Sequence, residues 1–391
     1  MRRCVMQPGL TRLYRYVGPP EIAEEQRDFP RGAPVRNSDD LRRALTSIAG
    51  TTRDSVTCTF VVDHVGTLRL SDRSSEHIAC AGGGPAMAAG EITVDSDGAV
   101  THVTNQSTGF CPEVECWPAV ARALEAAGLE DPGGWSACFE FRRCPGCWGC
   151  SLIKEGVFEC AECGRDLPQD WNFDRTLCRR AAVRLGESQW LVDSVEEPAS
   201  ADQDRVILAV RPGHLILALA DGAGGTSGGR EAAESVAAEA RALRTESPTA
   251  LLGRLDLHLA QTSGGQSTAV VVHLSPDGAL HGASVGDSEA WVSASETWSE
   301  LTDGQVRKPL LGSGRAVPEP FDHAPTSRLL VCSDGLSKYV KWDEALALLE
   351  SEGADFPWGL VNAARLPSGR LQDDLSLLYA RRWGTDGEVD G

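Results

Sequence analysis

Four aspartates in the C-terminal half carry the most chemistry in this 391-residue chain: Asp221 in ALADGAGG, Asp287 in SVGDSEA, Asp334 in VCSDGLS and Asp373 in LQDDLSLL. Each closes an apolar, strand-like run, and each is followed by a Gly, a Ser or a second Asp that lets the backbone turn. Carboxylates delivered by strand ends so far apart in sequence meet only in a folded sheet. Their oxygens are hard ligands suited to Mg²⁺ or Mn²⁺. Two such ions, about 3.5–4 Å apart, form a clamp suited to phosphoester hydrolysis.

A second ligand set is made of sulfur. In RRCPGCWGCSLIKEGVFECAECGRDL, Cys144 and Cys147 form one C-x₂-C knuckle and Cys160 and Cys163 another. The intervening segment is long enough for a short hairpin that brings the knuckles together. Four thiolates in a tetrahedron suit one structural Zn²⁺ and leave no open position for catalysis. Gly164 fits the tight turn that aims backbone N–H groups at sulfur. Cys150 is a spare, because Cys147 and Cys150 also have C-x₂-C spacing.

The whole chain narrows the field. The formal charge of −19 argues against general binding to nucleic acid or to a membrane surface, since an acidic protein is repelled by phosphates. The start MRRCVMQPGL lacks the apolar stretch of a secretory signal, and no run is long enough to span a bilayer. The expected location is therefore the cytoplasm. Twelve of the thirteen Cys precede residue 180, and in a reducing compartment such clusters read as metal ligands before disulfides.

Three regions must position these groups. Residues 1–140 read as an α+β domain. NSDDLRRALTSIAG is a helix capped by Asn37 or Ser38 and ended by Gly50. SVTCTFVVD and GTLRLS form a hairpin, HIACAGG, GEITV and AVTHVTN follow as strand-like runs, and CWPAVARALEAAG is an amphipathic helix. Asp97-Gly98 marks a turn. Residues 141–175 are a zinc ribbon. Residues 180–385 hold the acid-terminated strands, a hairpin turning at Arg211-Pro212-Gly213, and the helices GGREAAESVAAEARAL and PTALLGRLDLHLAQT. The polar tail GTDGEVDG reads as frayed.

The order DQDR, ALADGAGG, GQSTAVVV, GASVGDSEAWV, VCSDGLS, LQDDLSLLYA resembles the metal-dependent Ser/Thr protein phosphatases of type 2C, over about residues 185–383. The resemblance implies an α/β/β/α sandwich of two antiparallel sheets. It implies hydrolysis of phosphoserine or phosphothreonine by a hydroxide bridging two Mn²⁺ or Mg²⁺ ions. Asp221 would bridge both ions and the Gly222 carbonyl would bind the second. Asp334 and Asp373 would complete the first, Asp204 would act near the metals through water, and Asp287 would help hold a third, weaker ion. The partners implied are a phosphoprotein and a cognate kinase or its target, in signalling.

The chain also departs from that pattern. Ala199 stands about where an Arg would bind the substrate phosphate, and Arg205 lies too close to the ligand strand to replace it. Ala223 replaces a His proposed as general acid. Cys332 reads as a buried strand residue and not a nucleophile. These departures keep a rival reading open: a phosphatase fold with weak or no turnover that acts as a binding adaptor. The N-terminal candidates His77, Glu91, Ser107, Thr108, Cys111 and Cys116 complete no catalytic pattern, and His77 reads as a partly buried, hydrogen-bonded histidine. The domain they belong to reads as a recognition module.

Overall fold

In the computed structural model, residues 9–26, 28–50, 54–199, 202–223, 228–244, 246–262, 265–295, 297–351, 353 and 355–383 are described. The start MRRCVMQP and the tail GTDGEVDG lie outside them. The chain divides into two compact units, one of residues 11–175 and one of residues 176–391 with residues 1–10.

In the N-terminal unit a five-stranded antiparallel sheet runs in the order Ala33–Val35, Leu68–Asp72, Ser55–Asp63, Ala86–Asp95, Val100–Thr104. The helix Ser38–Ala49 is capped by Asn37, whose side chain accepts the Asp40 N–H at 2.9 Å, and it stops at Gly50 with φ 71°. This cap satisfies an N–H that has no partner within the helix. HIACAGG differs from the expectation of a strand: His77–Cys80 is a helical turn. Gly82 and Gly83, both at positive φ, end it with Cys80 already fully buried. The ribbon hairpin Glu140–Arg143 with Cys150–Ile153 belongs to this same unit.

The C-terminal unit contains two antiparallel sheets. The strands are β1 (Leu177–Leu185), β2 (Ser188–Glu197), β3 (Arg205–Arg211), β4 (His214–Ala220), β5 (Ala269–Leu274), β6 (Leu280–Val285), β7 (Glu289–Ser295), β8 (Thr297–Glu300), β9 (Glu319–His323), β10 (Arg328–Cys332) and β11 (Leu375–Trp383). One sheet runs β1-β2-β11-β10-β7-β8 and the other β3-β4-β5-β6-β9. Strand alternation explains the layering. In β4, Leu215, Leu217 and Leu219 face the core between the sheets with Trp190, Val192, Val270, Val331 and Leu378. The alternate residues Ile216, Ala218 and Ala220 pack instead on helices α1 (Gly229–Ala242) and α2 (Pro248–Thr262). Because both faces of the strand are buried, HLILALA reads as an unbroken apolar run. On the far side, α3 (Asp334–Ser337), α4 (Trp342–Glu350) and α5 (Phe356–Ala364) cover the first sheet. The result is a mixed α/β unit with helices outside two antiparallel sheets.

Candidate metal centres

The acidic site is built from strand ends. β4 ends at Asp221, whose carbonyl accepts the Thr268 N–H at 2.8 Å and the Ser267 hydroxyl at 2.9 Å. Gly222 follows. A Cβ there would lie 2.4 Å from the Gly229 carbonyl oxygen, so only glycine admits the approach of α1 to this turn. β10 ends just before Ser333 and Asp334. At Gly335 a Cβ would fall 1.9 Å from the Asp374 carbonyl oxygen. The Ser333 amide donates to the Ser376 carbonyl, and the Ser376 amide donates to Ser333 Oγ, both at 2.9 Å. These bonds lock the Asp334 and Asp373 turns side by side.

Asp204 enters the site at the head of β3. Ser376 Oγ donates to its Oδ2 at 2.8 Å, and its Oδ1 is buried with no partner except the Asp221 carboxyl when one of the two acids holds a proton. Burial raises the Asp204 carboxyl to about 7, against hydrogen bonds from Ser376 and Ser333. Asp221 is raised to about 10, first by burial and then by the charges of Asp204, Asp334 and Asp373. Asp373 is raised by partial burial and by Asp334. The charges of Asp204, Asp334 and Asp373 all act on Asp221, so the four carboxyls face one region, although among the described residues only the Cys quartet offers three or more such ligand atoms within 4.8 Å of one another. Asp287 stands beside them through Lys338, whose Nζ donates to Asp287 at 3.1 Å and also to Asp334. Burial opposes the Lys338 charge, but these two acids hold it above its ordinary value. Buried carboxyls that raise one another's pKa fit hard divalent cations, which would remove the repulsion between their ionised forms.

Two acids that the sequence reading passed over brace this site. Asp374, buried beside Asp373, accepts the Ala199 and Gln203 amides, each at 2.7 Å, and so ties down the segment leading to Asp204. Asp256 on α2, also buried, accepts the amides of Gly312, Gly314 and Ala316 at 2.9–3.0 Å. That loop supports Ser267 through paired backbone bonds to Leu311 at 3.1 Å. Neither acid stands out by motif; a second Asp after Asp373 was the one available hint. Ala199 presents only its N–H to Asp374. Arg205 is engaged by Glu234 at 2.8 Å and by the Asp204 carbonyl at 2.6 Å. Cys332 is fully buried and its thiol is pushed well up, first by burial and then by Glu289.

The sulfur site forms as the spacing requires. The Sγ atoms of Cys144, Cys147, Cys160 and Cys163 all lie within 4.8 Å of one another. Gly146 N–H points at Cys144 Sγ from 3.3 Å and Ser151 Oγ–H at Cys160 Sγ from 3.5 Å. The Cys160 thiol is drawn down to about 6, by Ser151 first and then by the Cys163 and Glu162 amides. Donors aimed at sulfur favour the thiolate at Cys160 and Cys144, while Cys147 and Cys163 are raised, against backbone amides, by hydrogen bonds to other cysteines of the quartet. Gly164, at φ 69°, makes the turn after the second knuckle. Cys150 stays out of this quartet.

The N-terminal candidates do not converge. His77 Nε2 meets the Gly90 carbonyl at 3.0 Å, Glu91 pairs with Arg73 at 3.1 Å, and Ser107 Oγ accepts the Phe110 amide at 3.3 Å.

No protein-family model and no curated protein matches the chain. Among solved structures it is similar to the serine/threonine phosphatase Stp1 from Staphylococcus aureus, at 22% identity and TM-score 0.42, over 52% of this chain and 98% of that one. The Mycobacterium tuberculosis serine/threonine phosphatase PstP/Ppp is similar at 18% identity and TM-score 0.40, over 49% and 98%. RsbX, solved in complex with magnesium, is similar at 16% identity and TM-score 0.42, over 52% and 100%. Stp1 and PstP/Ppp are bacterial Ser/Thr phosphatases, and each matches about half of this chain.

Proposed function

We propose that the C-terminal unit is a metal-dependent phosphoprotein phosphatase acting on phosphoserine or phosphothreonine. The observation that carries this reading is the mutual charge of four strand-end aspartates: burial and then Asp204, Asp334 and Asp373 push the Asp221 carboxyl up to about 10, a strain that divalent cations would relieve. Asp221 would be shared by two Mn²⁺ or Mg²⁺ ions, Asp334 and Asp373 would complete one, and the Gly222 carbonyl the other. Asp204 would act through water and Asp287 would hold a third, weaker ion. When bound, such ions supply an activated water and neutralise charge on the phosphoryl oxygens.

The chain's own residues set the geometry. Ser376 orients Asp204, Asp374 fixes the approach to it, and Gly222 and Gly335 allow the turns that present Asp221 and Asp334. Lys338 adds a positive group beside Asp334 and Asp287. With Ala223 after Gly222, no side chain at that position can protonate the leaving oxygen, so water or another group would do so. We further propose that the zinc-containing ribbon is structural and that the N-terminal unit recognises the phosphoprotein. Among the described residues no helix is long and apolar enough to cross a membrane.

A second reading, a catalytically weak or inactive phosphatase fold that serves as a binding adaptor, is favoured by one observation: Ala199 offers no cation to hold the substrate phosphate and the Arg205 guanidinium is already engaged. Purified full-length protein with Mn²⁺, assayed on p-nitrophenyl phosphate and on a phosphothreonine peptide with and without chelator, separates the two. Chelator-sensitive turnover of both substrates supports the phosphatase. Tight Mn²⁺ binding without turnover supports the adaptor.

A further inference from the structure

The zinc quartet and the acidic site leave one thiol pair without an assigned role. Cys111 and Cys150, 39 residues apart in sequence, face each other with their Sγ atoms 3.4 Å apart. Their settings are opposite. Cys150 is exposed and opens the second strand of the ribbon hairpin, directly across from Arg143. Cys111 is fully buried and sits at φ 47°, a conformation that costs energy in a non-glycine residue. It is over-determined there: its amide donates to the Ser107 carbonyl at 2.8 Å, its carbonyl accepts Trp171 Nε1 at 2.7 Å, and its thiol meets the Thr108 carbonyl at 3.3 Å. A strained backbone held by three bonds keeps the buried sulfur trained on the exposed one.

We propose that Cys111 and Cys150 are a redox modification site, a dithiol that a hydroperoxide converts to a disulfide joining the ribbon hairpin to the Ser107–Cys111 turn, independently of the zinc quartet. The exposed partner is the nucleophile. Its hydrogen bond with Cys111 draws the Cys150 thiol down against partial burial, with Arg143 helping, while the same hydrogen bond and burial push Cys111 up. The Cys150 thiolate attacks one peroxide oxygen. An S–O bond forms, the O–O bond breaks, and hydroxide leaves and takes a proton to become water. The Cys111 sulfur then attacks the Cys150 sulfenic sulfur. The S–S bond forms, the S–O bond breaks, and the released hydroxide leaves with the Cys111 proton as a second water. Two electrons pass from the two sulfurs to the peroxide. Closing from 3.4 Å to a disulfide bond length needs an approach of only about 1.4 Å, within reach of side-chain rotation.

The test uses zinc-loaded full-length protein and a few equivalents of hydrogen peroxide. Non-reducing peptide mass spectrometry should find the Cys111 and Cys150 peptides joined with the loss of two hydrogens, while a chromophoric chelator detects no zinc release. Cys150→Ser, a change at an exposed position, should leave Cys111 unoxidised. Cys111→Ser should leave Cys150 as a sulfenic acid that dimedone traps. The proposal is overturned if peroxide instead links members of the quartet and frees zinc. It is equally overturned if Cys111 oxidises as fast in Cys150→Ser as in the parent. Should Cys111→Ser fail to fold, the parent and Cys150→Ser still decide the matter.

Discussion

Removing the Asp374 carboxylate should loosen the acidic site without touching any proposed ligand. Its two oxygens accept the Ala199 and Gln203 amides at 2.7 Å each, and these amides lie in the segment that delivers Asp204. A hydrogen bond to a charged acceptor is worth about 1.5–3 kcal/mol, so Asp374→Ala forfeits roughly 3–6 kcal/mol before relaxation. Ala199 and Gln203 lie near the surface and can recover water, which brings the expected loss to about 3 kcal/mol. Asp374→Asn keeps one acceptor but turns an N–H₂ toward the other amide, and should cost about half as much. Residues that orient metal ligands typically matter by 10–100-fold in metal affinity. Urea denaturation should therefore show both losses in that order, and calorimetric titration with Mn²⁺ should show affinity reduced by about ten-fold or more in Asp374→Ala. Equal stability and equal Mn²⁺ affinity in Asp374→Ala and the parent would refute the bracing role.

Other perturbations report on separate parts of the molecule. His273, buried between His214 and His281, has its imidazole lowered to about 4 by burial and then by those two neighbours. Because the folded state binds the proton less well than the unfolded chain, stability is full above about pH 6.5 and is lost as pH falls toward 4. The loss is about 2 kcal/mol once solvent screening around the exposed His281 is allowed for, and urea midpoints at pH 7 and 4.5 should differ less in His273→Leu than in the parent. Cys160→Ser should release zinc, measured by elemental analysis, yet leave p-nitrophenyl phosphate turnover in place; freshly purified parent protein without zinc would contradict the sulfur site. Cys332→Ala should keep turnover within a few-fold, and loss of several orders of magnitude in a folded variant would point to cysteine chemistry.

What could be read from the residues, and what could not, divides along physical lines. Strands ending in Asp221 and Asp334 were legible because apolar runs stop abruptly at residues that turn. The helix after Asn37 announced itself by its cap, and the hairpin at Arg211-Pro212-Gly213 by its turn. The Cys quartet was legible because its ligand spacing is local. HIACAGG misled because an apolar stretch this short has no period, and positive-φ glycines decide where it ends. The helices α3, α4 and α5 went unread among short segments with mixed faces. Asp256 was invisible, and Asp374 was hinted at only by its place after Asp373, because both serve backbone amides far away in sequence, an arrangement with no sequence motif. Cys150 read as a spare ligand because its partner, Cys111, is close only in three dimensions.

The most direct test of the central claim is phosphate release by the full-length protein, compared with Asp221→Asn at saturating Mn²⁺ and with excess chelator. Turnover by the parent with Mn²⁺ should disappear on chelation, and Asp221→Asn should lose orders of magnitude of it together with weaker Mn²⁺ binding, because removing one negative charge from these carboxylates should eject at least one cation. Turnover that persists in excess chelator, or an Asp221→Asn variant as active as the parent, would contradict it.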